Sequence, residues 1–352
     1  MDDHIIQHSK PTLCGEEVDA LSLVIKSGHI AQGDKVEEFE DALARFAGVK
    51  GAVALSSGTA ALHLGLLAMG VSSRDEVLLP SYVCTAPLNA VHYTNGRPRL
   101  CDIELESFNI SLESIEEAGT EDTKAVIVPH MFGNTADLER IEEAGIAVIE
   151  DCAQSVGAMY GEVRTGSFGR FSIMSFYATK MMACGEGGAL LSNDEKILMF
   201  ARDMRDYDEK DSYKVRYNYK MTDVQAAMGL VQMKKLPGMI QRRKEIASRY
   251  DEAFKDLEII LPKAEFDHVY YRYVIRTEKP PQEVISSMKE KGIICARPVF
   301  NPLNRYLEMR SGFRNTDEVF SSAVSIPIYP ALTGEEEKRI IEGVKESFIS
   351  YE

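Results

Sequence analysis

Gly145-Ile146-Ala147-Val148-Ile149-Glu150-Asp151 reads as a helix terminator, a short strand apolar on both faces, and two carboxylates delivered at the strand's carboxyl end. A strand with no polar face needs cover on both sides. Outward from it, residues 76–79 and 125–128 have the same two-sided apolar character, and the second run ends at Pro129-His130. Between and before them the spacing is helical: Val36, Phe39, Leu43 and Phe46 fall on one face, and Ser56-Ser57-Gly58-Thr59 opens an apolar helix to about Met69. Short buried strands separated by helices predict an α/β fold, with a mostly parallel central sheet flanked by helices.

Beyond about Leu230 the pattern changes. Ile240, Ala247, Tyr250, Phe254 and Leu257 share one face of a long helix, followed by a smaller α/β unit with a strand at 269–275 and helices near 282–291 and 335–348. Thr333-Gly334-Glu335-Glu336 has capping-box spacing. Leu236-Pro237-Gly238 offers a break, so the reading is a large domain at 1–235 and a small C-terminal domain at 236–352, with the N-terminal segment free to pack on the small one.

The 352 residues are 45% apolar and 27% charged, as in ordinary globular proteins, and no repeat or low-complexity tract interrupts them. A net charge of −15 argues against nucleic acid or an anionic membrane as partner, since both need a cationic face. MDDHIIQHSKP (1–11) has neither a basic leader nor an apolar core, and no run approaches a membrane span; the expected location is cytoplasmic. Six cysteines without CxxC spacing predict reduced thiols and no metal site.

Three constellations carry chemistry. A buried carboxylate at the end of the strand reaching Glu150-Asp151 can keep a pyridine nitrogen protonated, turning the ring into an electron sink; the plainer reading is an acidic helix cap. Ser172-Ile173-Met174-Ser175-Phe176-Tyr177-Ala178-Thr179-Lys180 is a half-buried strand delivering a lysine, followed by Gly185-Glu186-Gly187-Gly188. A lysine at a dry strand end serves as nucleophile and base, whereas lone lysines are usually surface residues and the glycines suit a plain turn. Ser56-Ser57-Gly58-Thr59-Ala60 can turn backbone N–H groups toward a phosphate, or simply cap its helix. Each plain reading is common. Their conjunction on successive strand and helix ends is not.

With those residues in hand, the chain resembles the sugar-nucleotide aminotransferases of the DegT/DnrJ/StrS family, which have the aspartate aminotransferase fold (type I). The similarity runs from SGHIAQG (27–33) through SSGTAALHL (56–64), EVLLPSY (76–82), VPHMFGN (128–134), VIEDCAQSVGA (148–158), SFYATKMMACGEGG (175–188) and YNYKMTDVQAA (217–227) to SIPIYPALT (325–333). The resemblance implies that Lys180 carries pyridoxal 5'-phosphate as a Schiff base, Asp151 pairs with the pyridine nitrogen, and Gln154 lies beside the ring. It assigns the phosphate to Gly58, Thr59 and Ser175, with Asn218 reaching it from the neighbouring subunit, hence a homodimer with shared active sites. The implied partners are an amino-acid donor, glutamate by family expectation, and a nucleotide-linked keto sugar.

Three places depart from the family. Cys84 stands where an aromatic residue usually stacks on the cofactor, and either its polarisable sulfur covers the ring or Tyr82 takes that role; Tyr219-Lys220 replaces a common Ser-Arg pair; Asn304 stands where histidine is frequent. Substrate contacts are expected from His130, Glu186, Lys220 and Arg297, with Arg305 able to reach a diphosphate or carboxylate. A structural role for His130 and a turn-shaping role for Glu186 stand beside that reading. Alternatives are amination of a cyclitol or other ketone, and a non-catalytic regulatory homologue; dehydration is disfavoured because it takes histidine at the lysine position.

Overall fold

The computed structural model describes residues 5–264 and 266–348, so the first four residues of the N-terminal stretch quoted above lie outside it. In chain order the strands are β1 (Gly51–Leu55), β2 (Glu76–Pro80), β3 (Arg97–Cys101), β4 (Thr123–Pro129), β5 (Ala147–Asp151), β6 (Met159–Tyr160), β7 (Val163–Arg164), β8 (Phe171–Ser175), β9 (Gly188–Ser192), β10 (Ile259–Ile260), β11 (Tyr273–Thr277) and β12 (Ala323–Ile326). The helices are α1 (Gly15–Ser27), α2 (Asp34–Ala47), α3 (Gly58–Ala68), α4 (Thr85–Tyr93), α5 (Leu112–Ala118), α6 (Leu138–Glu143), α7 (Glu195–Met204), α8 (Asp223–Phe254), α9 (Pro281–Glu290), α10 (Leu303–Tyr306), α11 (Arg314–Ser322) and α12 (Gly334–Phe348).

Seven strands form the central sheet in the order β1-β9-β8-β5-β4-β2-β3. Only β9 runs against the others. The sheet is therefore mostly parallel, as expected, and the carboxyl ends of β1, β4, β5 and β8 share one edge with the start of β9. Alternation along β1 sends Val53 and Leu55 into one core with α3, and Ala52 and Ala54 into another with α2. A third core joins β11 and β12 to the second half of α8, to α12 and to Ile6 of the N-terminal segment. Ile6 N–H donates to Gly292 O at 2.8 Å and Ile6 O accepts from Ile294 N at 2.9 Å, tying that segment to the C-terminal unit.

Two details differ from the sequence reading. The break at Leu236-Pro237-Gly238 is absent, because α8 continues through Pro237 for 32 residues. An interior proline costs about 3 kcal/mol, and here the helix is held on both sides of it. Leu236 and Met239 enter the α2 core, while Ile246, Ala247, Tyr250 and Phe254 enter the third core. The C-terminal strand begins at Tyr273 instead of 269, and residues 269–272 leave the strand path to follow the edge of the central sheet. The capping box forms as read: Thr333 N–H meets Glu336 Oε2 at 2.8 Å, and Glu336 N–H meets Thr333 Oγ1 at 3.2 Å.

Candidate active site

Lys180 sits just beyond the carboxyl end of β8. Its loop closes through Ala178 N–H to Gly185 O (3.0 Å), Lys180 N–H to Tyr177 O (2.8 Å) and Cys184 N–H to Phe176 O (2.8 Å). Phe176, Met181 and Met182 are buried on either side, so the lysine is presented by a pinned loop. Its Nζ lies 5.1 Å from the centroid of the Tyr271 ring.

Asp151 ends β5 beside β8, with Ile173 as its register partner. Its Oδ1 accepts from Ala153 N at 2.9 Å, and no described residue donates to Oδ2. Burial pushes this carboxyl's pKa up; the Ala153 N–H and the charge of Lys180 pull against that without reversing it. A cationic ring N–H meeting Oδ2 supplies what the ionised form lacks. Gln154 follows three residues on, its Oε1 accepting from Phe132 N at 2.9 Å and its Nε2 lying 3.9 Å from Met131 Sδ.

The phosphate end is assembled by close backbone approach. Ser57 caps α3, accepting from Ala60 N at 3.1 Å. A Cβ on Gly58 would stand 3.1 Å from Ser175 Cβ, and one on Gly188 would fall 2.3 Å from Ser57 C and 2.4 Å from Gly58 N. Gly188 is thus no turn filler, because β9 meets the N-terminus of α3 only where a side chain is missing. Ser57, Thr59, Cys84, Thr85 and Tyr219 line a recess of about 490 Å³ there. Cys84 and Thr85 also border a second cavity of about 290 Å³ that holds Gln154 and Lys180. Anion cup and lysine therefore adjoin, with Asp151 at the end of the neighbouring strand, and these residues fit a phosphorylated pyridine aldehyde.

The far wall of the second cavity comes from residues the sequence reading passed over: Tyr271, Arg272, Tyr306 and the segment 298–301. Val269 N–H donates to Gly133 O at 2.9 Å and Arg272 N–H to Phe132 O at 3.2 Å, drawing this stretch against the sheet edge. Gly133 is left-handed (φ +92°), and a Cβ on it would lie 2.8 Å from Val269 Cγ2 and 3.0 Å from Tyr271 N. Tyr271 hydroxyl stands 3.3 Å from Thr179 Oγ1, next to the lysine. Burial works to raise its pKa, but the charges of Lys180, Arg272 and Arg243 with the Thr179 hydrogen bond outweigh burial and hold it at about 8. The signal available in the sequence was an arginine inside an otherwise apolar run, His268-Val269-Tyr270-Tyr271-Arg272-Tyr273-Val274-Ile275.

Several expected contacts stand elsewhere. His130 is fully buried. Its Nδ1 accepts from Ala136 N at 3.0 Å, which leaves Nε2–H to donate to Glu150 Oε1 at 2.9 Å. That is the structural arrangement rather than a substrate contact. Cys152 approaches the same pair, yet Glu150 already takes N–H groups of Gly166 (2.7 Å) and Phe168 (3.0 Å), so protein donors occupy its oxygens. Arg297 bonds the Phe320 carbonyl and lies 4.4 Å from the centroid of that ring, which Arg305 meets from 4.1 Å; both guanidinium groups are engaged away from the cleft wall. Lys220 pairs with Asp206, Glu186 is exposed, and Asn218 is exposed between the stacked rings of Tyr217 and Tyr219. Asn304 is buried with Nδ2 3.5 Å from Asp317 Oδ1. Cys84 borders the cleft; Tyr82 is buried edge-on against Phe132 and does not line it.

Lysine, carboxylate and anion cup, gathered at the carboxyl edge of this sheet, define a pyridoxal-phosphate-dependent aminotransferase. More narrowly, the chain belongs to the DegT/DnrJ/EryC1/StrS aminotransferase family, matching it over residues 11–345. It is 32% identical to the spore coat polysaccharide biosynthesis protein SpsC of Bacillus subtilis, over 98% of this chain and 97% of that one. It is 31% identical to the GDP-perosamine synthase of Escherichia coli O157:H7, over 96% and 97% of the two chains. The fold superposes on the putative sugar aminotransferase Spr1654 of Streptococcus pneumoniae in its PMP form with a TM-score of 0.92, at 26% identity and 98% coverage of both chains. That protein is also known in a PLP form. The cofactor here is pyridoxal 5'-phosphate.

Proposed function

We propose that this enzyme moves an amino group from an α-amino acid, glutamate by family expectation, to a ketone on a nucleotide-linked sugar. The observation that carries the reading is that Lys180 shares one cavity with Gln154 while Asp151 ends the adjacent strand β5, near enough for the lysine's charge to act on its carboxyl. When bound, the cofactor supplies an aldehyde for amine exchange and a ring that accepts electrons. Lys180 would be the cofactor's covalent anchor, and its freed Nζ would carry the proton taken from the donor's α-carbon. Asp151 Oδ2 keeps the ring nitrogen protonated. Gln154, fixed by Phe132 N–H, would lie beside the ring, and Gly58, Thr59 and Ser175 would hold the phosphate at the α3 N-terminus. In the second half the same lysine returns the proton as the amino sugar leaves.

A homodimer with shared sites fits the exposure of Asn218 so close to the phosphate cup, with Ser56 N–H bonded to Tyr219 O at 2.8 Å. It also fits the exposed apolar side chains Val18, Leu23, Ile25 and Ile30 of α1 and the loop after it, which a partner subunit would cover. Six cysteines, all without disulfides, suit work in the cytoplasm.

Reduction of the cofactor-loaded protein with borohydride should fix the cofactor on Lys180, and Lys180→Ala should lose the adduct; an adduct retained by the variant rejects the assignment. Glutamate should then discharge the cofactor's absorbance band, and nucleotide-linked keto sugars should restore it. Equal restoration by free cyclitol ketones would move the acceptor to that class.

A further inference from the structure

Besides Lys180, Arg272 is the only cationic side chain among the residues lining the 290 Å³ cavity. Below pH 8 its partners are neutral. Nη1 lies 3.0 Å from both ring nitrogens of His8, whose Nε2 is also 2.8 Å from Ser325 Oγ, and Cζ lies 5.1 Å from the Tyr271 ring centroid. Burial, and then the charge of Arg272 itself, hold His8 down at about 3, so this imidazole offers a lone pair and no charge. Among the described residues no carboxylate stands at ion-pair distance from Arg272. By contrast Arg205 is ion-paired with Glu40 and Arg276 with Glu318, while Arg243, which also lacks a carboxylate, is fully buried with backbone carbonyls and lines no part of this cavity. Arg272 is a cation held in place by neutral groups, and an uncompensated guanidinium in a cleft is a receptor for an anion from solution.

The geometry selects the anion. Lys180 Nζ and Arg272 Cζ each lie 5.1 Å from the same ring centroid, which puts them no more than about 10 Å apart. An amino acid carries its reacting amine and its carboxylate on one carbon. When the amine reaches the aldehyde held at Lys180, the carboxylate comes with it into the same small cavity. Once Lys180 is bonded to the cofactor, Arg272 is the remaining lysine or arginine on that wall. A buried carboxylate without a cation is strongly disfavoured. We propose that Arg272, seated by His8 and Tyr271, binds the α-carboxylate of the amino donor and so makes the cleft selective for α-amino acids over simple amines. This rests on the aminotransferase reading with an amino-acid donor and names the residue that recognises it.

The test uses the cofactor-loaded enzyme and follows each half-reaction separately. Arg272→Gln should weaken the glutamate half-reaction at least roughly thirtyfold, the loss expected when one partner of a buried charge pair is removed. It should leave the half-reaction with a nucleotide-linked keto sugar within about threefold, and 4-aminobutyrate, which is glutamate without its α-carboxylate, should react equally poorly with both proteins. Calorimetry with α-methylglutamate, which binds but has no α-proton to lose, should give the same loss in affinity without turnover. Arg272→Lys should recover part of it, separating lost charge from a damaged fold. If Arg272→Gln slows only the sugar half-reaction, the residue reads the diphosphate and the proposal is wrong. If 4-aminobutyrate suffers as much as glutamate, α-carboxylate recognition is likewise rejected. A wild-type enzyme that ignores glutamate sinks the donor assignment itself, whereas equal responses of wild type and Arg272→Gln sink only the role of Arg272.

Discussion

The two walls of the cleft are built by different means. On the cofactor side, Asp151, Ser175 and Lys180 sit at or just past the ends of adjacent strands, and sheet register sets their spacing: Asp151 opposite Ile173, Ser175 opposite Gly188. On the substrate side, Tyr271 and Arg272 arrive on a segment without regular structure, 298–301 on another, and Tyr306 at the end of the short helix α10. Packing and a few backbone hydrogen bonds hold them there. A hydrogen-bonded sheet tolerates little displacement, whereas a crossing segment can change its side chains without disturbing the sheet. On the proposed function, the chemistry falls to the rigid wall and the choice of substrate to the adaptable one.

The harshest way to break that division is Asp151→Asn. The amide keeps the shape and the bond to Ala153 N–H but removes the charge facing the ring nitrogen. Turnover should fall roughly 10²–10³-fold, the scale on which a preorganised electrostatic contact acts, with near-native thermal unfolding. Steady-state rates beside a melting curve check it, and undiminished turnover would remove the carboxylate from the chemistry.

A paired glycine experiment sharpens the comparison. Gly188→Ala places a Cβ 2.3 Å from Ser57 C, against backbone that cannot yield unless β9 and α3 separate. It should destabilise by about 3 kcal/mol, the upper end for overpacking, and weaken cofactor binding more than roughly tenfold, as a loss exceeding 1.4 kcal/mol requires. Gly133→Ala forces alanine into a left-handed conformation, at about 1–2 kcal/mol, and presses a Val269 methyl and, less closely than at Gly188, the Tyr271 backbone N at 3.0 Å. It should raise the KM for substrate while leaving cofactor affinity within about threefold, a difference under 1 kcal/mol. Cofactor titration and thermal unfolding read both variants. Equal losses of cofactor affinity would show that the walls are not independent.

Legibility in the sequence follows the same division. Glu150-Asp151, the Ser57-Gly58-Thr59 turn and Lys180 were readable because each depends on residues contiguous with one strand or helix end, where local pattern and geometry agree. The same holds for the capping box at Thr333. Tyr271 and Arg272 were missed because period-two reasoning absorbed them into a strand beginning at 269. What takes them out of that strand is Gly133, more than 130 residues away, whose missing side chain makes room for the crossing. Arg297 and His130 were misplaced for a related reason. Residue type suggested a ligand, while their partners, the Phe320 carbonyl and the Glu150 carboxylate, come from distant segments. Pro237 was read as a break because proline's local cost is visible in sequence, and the packing that offsets it is not.

The gentlest probe asks whether the two walls communicate. Tyr271 belongs to the substrate side, yet it ionises near 8 instead of its usual 10, and Lys180 on the cofactor side is the leading charge among the causes. A phenol whose folded pKa is depressed stabilises the fold through its ionised form. That contribution is fully present above pH 10 and is lost as pH falls through 8, so the cofactor-free protein should gain stability from this group between pH 8 and 10. Ultraviolet difference titration should reveal one phenolate forming near pH 8, absent from Tyr271→Phe. In Lys180→Ala the transition should climb back toward 10, because the charge that favours the phenolate is gone. An unmoved transition in that variant would mean that Arg272 and Arg243 alone set the ionisation of Tyr271, and that the substrate wall does not sense the lysine at all.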